Sequence, residues 1–157
     1  MIVNHNLIRE KFAGSKKYLE KLDTIIENPQ EVFVQDFDLQ LHAERVFQVI
    51  SQIMLDVCTH IIAQSNETPP ATYADCIEKL GTLKVIGTET VSSVSSLVKM
   101  RNLIVHQYQR IKYPILFEGL RELKKDFLRF QDEILKWLND LTEKEGRKRS
   151  IAEEDKG

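Results

Sequence analysis

Eight bulky apolar residues, Leu116, Leu120, Leu123, Phe127, Phe130, Ile134, Trp137 and Leu141, recur at spacings of 4, 3, 4, 3, 4, 3 and 4. Only a helix gathers such a series on one side of the chain, and that side must be buried against other helices. The partners are legible in the same sequence. Ile8, Phe12, Ser15, Leu19, Leu22 and Ile26 mark an amphipathic helix from about Val3 to Glu27, which Asn28-Pro29 ends. From about Leu39 to Gln64 apolar residues cover most of the helix circumference, the pattern of a helix at the centre of a bundle or at a dimer interface. Pro69-Pro70 breaks the chain before a short helix from Tyr73 to about Leu83. A further helix starts at about Thr90, capped by Thr88 or Thr90, and ends near Tyr108.

No run of alternating strand residues occurs, and no phosphate-binding glycine loop, dinucleotide fingerprint or zinc-protease motif. The expected fold is therefore all-α, an up-and-down bundle of four long helices and one short one. With 157 residues, 42% of them hydrophobic, the chain suffices for one domain, expected over residues 1–142. Residues 143–157 read as a charged, mobile tail whose Arg147-Lys148-Arg149 triplet is either solvated or placed to touch phosphate. A net charge of -2 excludes a global basic field, so any nucleic-acid contact must be local. Cys58 and Cys76 lack CxxC or zinc spacing and read as reduced thiols in or near the core. No leader-like start and no apolar run of about 18 residues is visible, so a cytoplasmic protein without a membrane span is expected.

One residue disturbs this pattern. Along Val91, Val94, Val98, Arg101, Val105 and Tyr108 the spacing is that of a buried stripe, yet an arginine holds the fourth position. A guanidinium keeps its charge, so there it requires a carboxylate, a phosphate or a wet interface. His106 follows five residues later, about 140° further round the helix, whereas Asn102 and His106 share a face. Two readings stand: a structural ion pair with an unrelated histidine, or the phosphate binder and proton carrier of an active site. A polar strip on the central helix, Arg45, Gln48, Gln52, Asp56 and Thr59, is either a solvated face or the place where Asp56 meets Arg101. Asp56 and His60 also make an i, i+4 pair, but two ligands fall short of the three or four a metal needs. No metal and no cofactor is assigned.

Arg101 to Tyr108 fits Arg-x4-His-x-Tyr, and with the long central helix and the segment Pro69 to Ile77 before it the chain resembles the HEPN superfamily, in its HepT-like branch of toxin-antitoxin ribonucleases. The likeness runs from about Val3 to Trp137. It implies a homodimer whose Arg and His pairs line a shared cleft and cut RNA without a metal. His106 is then the general acid/base, Arg101 the phosphate binder, and Asn102 the polar residue beside it. The acidic residue facing the motif is left open between Asp56 and Glu44. The resemblance also implies that Tyr108 accepts AMP from a minimal nucleotidyltransferase antitoxin of the MntA type, which silences the toxin. A different class remains in view: a non-catalytic helical module that binds a nucleotide or the nucleotidyltransferase.

Overall fold

The computed structural model describes residues 1–155, except for the side chain of Tyr108. Its helices, in chain order, are α1 (His5–Ala13), α2 (Lys16–Ile26), α3 (Gln30–Phe33), α4 (Phe37–Ala63), α5 (Tyr73–Thr82), α6 (Thr88–His106) and α7 (Tyr113–Glu154), with one 3-10 turn at Tyr108–Arg110. The all-α bundle expected from periodicity is what forms, and no strand occurs among the described residues.

The helix count differs at the N-terminal end. Where spacing predicts one helix from about Val3 to Glu27, the chain forms two, because Gly14-Ser15 breaks it. Buried Ser15 donates its hydroxyl to the Phe12 carbonyl at 2.6 Å, and its amide takes the same carbonyl at 3.0 Å. A glycine-serine pair bonded back three residues is a recognised cause of such a bend. The irregular stretch after Pro29 holds the single turn of α3, which seats Phe33 against Phe117 with ring centroids 5.0 Å apart.

α4 is the axis of the molecule. Ala43, Val46, Phe47, Ile50, Ile53, Met54, Leu55, Val57, Cys58, Ile61 and Ile62 are all buried. Asp36 starts it by accepting from the Leu39 amide at 3.0 Å. An 18-residue window of α4 reaches a mean hydropathy of 1.6, high enough for a membrane span, but 61% of that window is buried inside the bundle. Its apolarity is thus accounted for by the core. Cys58 on α4 meets Cys76 on α5 as a pair of free buried thiols, and burial pushes the Cys58 thiol up.

α7 buries Leu116, Leu120, Leu123, Phe127, Phe130 and Ile134 as the heptad predicts, but the next fully buried residue is Leu138, with Trp137 and Leu141 only partly covered. A straight α-helix drifts roughly 20° per heptad against a seven-residue repeat, so over several heptads the core-facing position moves on by one. α7 then continues as helix to Glu154, and everything from Thr142 to Asp155 is exposed.

Two glycines set how closely α6 lies on its neighbours. A Cβ on Gly119 would stand 2.7 Å from Met100 Sδ, and one on Gly81 would stand 2.6 Å from Val91 Cγ2. Either contact is too short for a real Cβ, so the Met100 and Val91 side chains of α6 fill the space that a side chain on α7 or α5 would take. The cap of α6 is Gly87, not Thr88 or Thr90: the Gly87 amide donates to Glu133 on α7 at 3.1 Å, and Thr90 is buried inside the helix. With Thr88 already the first helical residue, neither threonine is placed to cap, and no side chain caps α6.

Candidate active site

Arg101 lies near the C-terminal end of α6. The observed buried face is Thr90, Val94, Leu97, Val98 and Ile104, with Val91 and Val105 half-buried beside it. Arg101 continues this face, so the anomaly seen in the sequence is present in the fold, although its side chain is half-buried and not enclosed.

Its partners are all neutral. One terminal nitrogen donates to Gln52 Oε1 on α4, and the other reaches Asn102 Oδ1 at 3.5 Å. The guanidinium carbon stands over the Tyr73 ring, 5.4 Å from its centroid, the geometry of a cation–π contact. The Nε is buried without a partner. No carboxylate among the described residues lies within ion-pair distance of Arg101.

Asp56 is one step removed. Gln52 turns its other end to it, donating from Nε2 to Asp56 Oδ1 at 2.8 Å, and Lys11 on α1 takes Oδ2 at 3.0 Å. A relay Arg101–Gln52–Asp56–Lys11 therefore crosses three helices, with the acid matched to the lysine. Glu44, the other acidic candidate, accepts from the Tyr113 hydroxyl at 3.2 Å. Burial, then the Glu44 charge, raises the Tyr113 phenol above its ordinary range. The polar strip of α4 is thus more than a solvated face: Gln48, Gln52, Asp56 and Thr59 are half-buried, and Gln52 is the residue that holds Arg101. Its place on the strip was the available signal. His60, close by, accepts from the Asn4 amide at 3.3 Å. Among the described residues no three His, Cys, Asp or Glu side chains converge on one point.

His106 is the last residue of α6 and is exposed. The Gln107 amide closes the helix on the Leu103 carbonyl at 2.9 Å, and the 3-10 turn then carries the chain away, so the imidazole stands at a free edge. It walls two depressions. One, of about 460 Å³, is lined by Thr59, Pro70, Ala71, Thr72, Tyr73, Asn102 and His106. The other, of about 490 Å³, is lined by His106, Gln107, Gln109 and Arg110. Asn102 and His106, one turn apart, face the same cavity. Arg101 is not part of its wall and stands directly behind two residues that are, Tyr73 and Asn102. The expectation for the side chain of Tyr108 falls outside the described residues.

Sequence reasoning passed over Tyr73, which reaches Arg101 from another helix. Thr72 caps α5 by accepting from the Asp75 amide at 3.1 Å, and Asp75 accepts in return from the Ala71 amide at 2.9 Å. This reciprocal cap, aided by the rigid Pro69-Pro70 approach, fixes Tyr73 as the first residue of α5. The T-x-x-D spacing was visible beforehand; that it aims a ring at Arg101 was not.

The arrangement offers a cation held by neutral groups, with no carboxylate partner among the described residues, behind the wall of an open cavity that also carries an exposed histidine. It suits an anionic substrate that needs a proton moved.

Residues 15–134 match the family model described as Ribonuclease HepT-like. The chain is 25% identical over 130 residues to an mRNA nuclease HepT of Shewanella oneidensis, which spans 83% of this chain and 97% of that protein. It is 25% identical over 95 residues to a tRNA nuclease HepT of Aphanizomenon flos-aquae, 60% of this chain and 65% of that one. Among solved structures, a tri-AMPylated Shewanella oneidensis HEPN toxin in complex with MNT antitoxin superposes with a TM-score of 0.78 at 24% identity, covering 85% of this chain and 99% of the toxin.

Proposed function

The chain belongs to the Ribonuclease HepT-like family, and from that premise we propose that it is an endoribonuclease toxin in which His106 and Arg101 carry the chemistry. The observation that supports this most is the unneutralised Arg101, held by Gln52, Asn102 and Tyr73 beside the cavity that His106 walls. Relatives named as mRNA and tRNA nucleases make RNA the substrate of choice.

The reaction follows from the groups present. His106 takes the proton of a ribose 2'-hydroxyl as that oxygen attacks the adjacent phosphorus. The new O2'–P bond forms, the P–O5' bond breaks, the departing O5' takes a proton from water, and the proton held by His106 passes to solvent. The products are a 2',3'-cyclic phosphate and a 5'-hydroxyl end. Arg101 stabilises the charge that builds on the phosphoryl oxygens, and because Gln52 and Asn102 hold it in place beforehand, little reorganisation is required. The internal nucleophile makes the reaction one of RNA and not DNA. No step calls for a metal.

The working form is a homodimer in the cytoplasm, with the two Arg and His pairs bordering one cleft. Phe37 and Leu41 on α4 and Ile115 on α7 are large apolar side chains left in water by the single chain, as a protein with a partner surface would leave them. Regulation is by a nucleotidyltransferase antitoxin that transfers AMP to Tyr108, two residues beyond His106 in the Arg-x4-His-x-Tyr motif. The Shewanella oneidensis toxin, AMPylated and bound to its MNT antitoxin, supports this by analogy. Phosphate charge added there would repel an incoming RNA backbone.

The test is cleavage of a labelled RNA by purified His106→Ala protein with its thermal melt unchanged. We expect a loss of about 10² to 10⁴ in rate, the size of a missing general acid/base. A folded variant that cuts as fast as the parent would overturn the proposal. Mass spectrometry after co-expression with a nucleotidyltransferase of the MNT antitoxin type should find AMP on Tyr108, and Tyr108→Phe should abolish it.

A further inference from the structure

The cavity beside His106 is built for more than a proton transfer. At about 460 Å³ it has the size of a small-ligand site, with Pro70, Ala71 and the Tyr73 ring as its apolar walls. Thr59, Thr72 and Asn102 add hydrogen-bonding groups on the same surface. Tyr73 is 38% exposed, so part of its ring is open to the cavity. It is nonetheless rigid at its base, since the Thr72 and Asp75 cap bonds pin the first turn of α5 on both sides. Arg101 stacks on the same ring. An exposed aromatic on a fixed backbone, next to a cation and a set of donors and acceptors, is how proteins hold an unpaired nucleobase.

We propose that this cavity seats the base of a nucleotide flanking the scissile phosphate, with Tyr73 as its stacking platform and Thr72 and Asn102 meeting its edge. The inference rests on the ribonuclease reading above and names what that site recognises: an unpaired base, and so single-stranded RNA. A base still stacked in a duplex could not enter. Tyr73 thereby couples recognition to chemistry, because the ring that receives the base also carries Arg101.

Binding without cleavage tests this separately from catalysis. The probes are a short single-stranded 2'-O-methyl oligoribonucleotide, whose blocked 2'-oxygen cannot attack, and an abasic oligomer of the same length and phosphate count. Fluorescence anisotropy with the full-length protein should show the base-bearing probe bound roughly tenfold to a hundredfold more tightly, the range for one stacked base. Tyr73→Ala should erase that ratio, and Tyr73→Phe should bring it back. If Tyr73 acted only by holding Arg101, its loss would weaken both probes equally and leave the ratio intact, which overturns the proposal. So does a parent protein that binds the two probes alike. A Tyr73→Ala protein with a normal thermal melt removes misfolding as the cause. Should the ratio appear while the parent cuts no RNA, the nuclease reading falls and the base seat stands. Cleavage that ignores abasic sites flanking the cut sinks the seat and spares the nuclease.

Discussion

Arg101 and Arg129 make an instructive pair. Both are half-buried at the interfaces of α6, and both leave a buried Nε without a partner. Arg129, reaching across from α7, is matched by acids: its terminal nitrogens meet Glu89 and Asp126, the latter at 3.1 Å, and it donates to Ser93 Oγ at 2.9 Å. Arg101 has Gln52, Asn102 and an aromatic ring. The charge of Arg129 is compensated within the protein and clamps α6 to α7. That of Arg101 is oriented by neutral groups and meets no carboxylate among the described residues, as its proposed role of phosphate binder requires. Burial is the same for both arginines, so the proposed difference in their roles rests on the character of their partners.

Replacing each arginine in turn is the most direct way to break the comparison. Arg101→Met should lower kcat/KM on RNA by about 10² to 10³, in line with the loss of one preorganised charge partner, and leave the fold as stable or slightly more so. The reverse pattern is expected of Arg129→Met. It should cost about 2–3 kcal/mol in urea unfolding, below the range for a fully buried pair because Arg129 keeps 24% of its side-chain exposure, with cleavage per folded molecule unchanged. If both variants lose stability and neither loses activity, the distinction fails.

A smaller effect sharpens it. Gln52→Glu gives Arg101 the sort of partner Arg129 has, so kcat/KM should fall by roughly tenfold as the new carboxylate competes with the phosphate. Rate measurements over a salt series check this, since the competition weakens with screening.

The smallest effect is a pH dependence. Burial raises the Asp126 carboxyl, and the Arg129 charge only partly offsets it. A carboxyl raised on folding binds its proton more tightly in the native state, so its contribution to stability declines as pH rises through the window between its unfolded and folded values. Without Arg129 that rise should grow. The stability gap between Arg129→Met and the parent should therefore narrow as pH falls from 7.5 to 5, measured by thermal melts, while the gap for Arg101→Met stays flat.

Periodicity made much of this architecture legible beforehand. The stripe from Leu116 to Ile134 and the apolar girth of α4 specify helices and a bundle almost by themselves, because burying such surfaces has few solutions. Spacing failed where one local contact decided the outcome, as at the Ser15 bend and the Gly87 cap. It failed also where a small angular error accumulates, as at Trp137 and Leu138. The candidate site divides similarly. Arg101, Asn102 and His106 lie in one helical segment and stand out by type and interval, whereas Gln52 and Tyr73 arrive from α4 and α5.

What the chain's own sequence determined is the class of fold and the oddity of a permanent cation on an apolar helix face, since both follow from residue type and helical period. Only the tertiary structure decided who answers that cation. Asp56 was near enough in principle, but the approach of α1 gave it Lys11 and left a glutamine amide at Arg101. Hydrogen-bond partners are chosen over a few ångströms by how helices cross, and no periodicity along one helix contains that information.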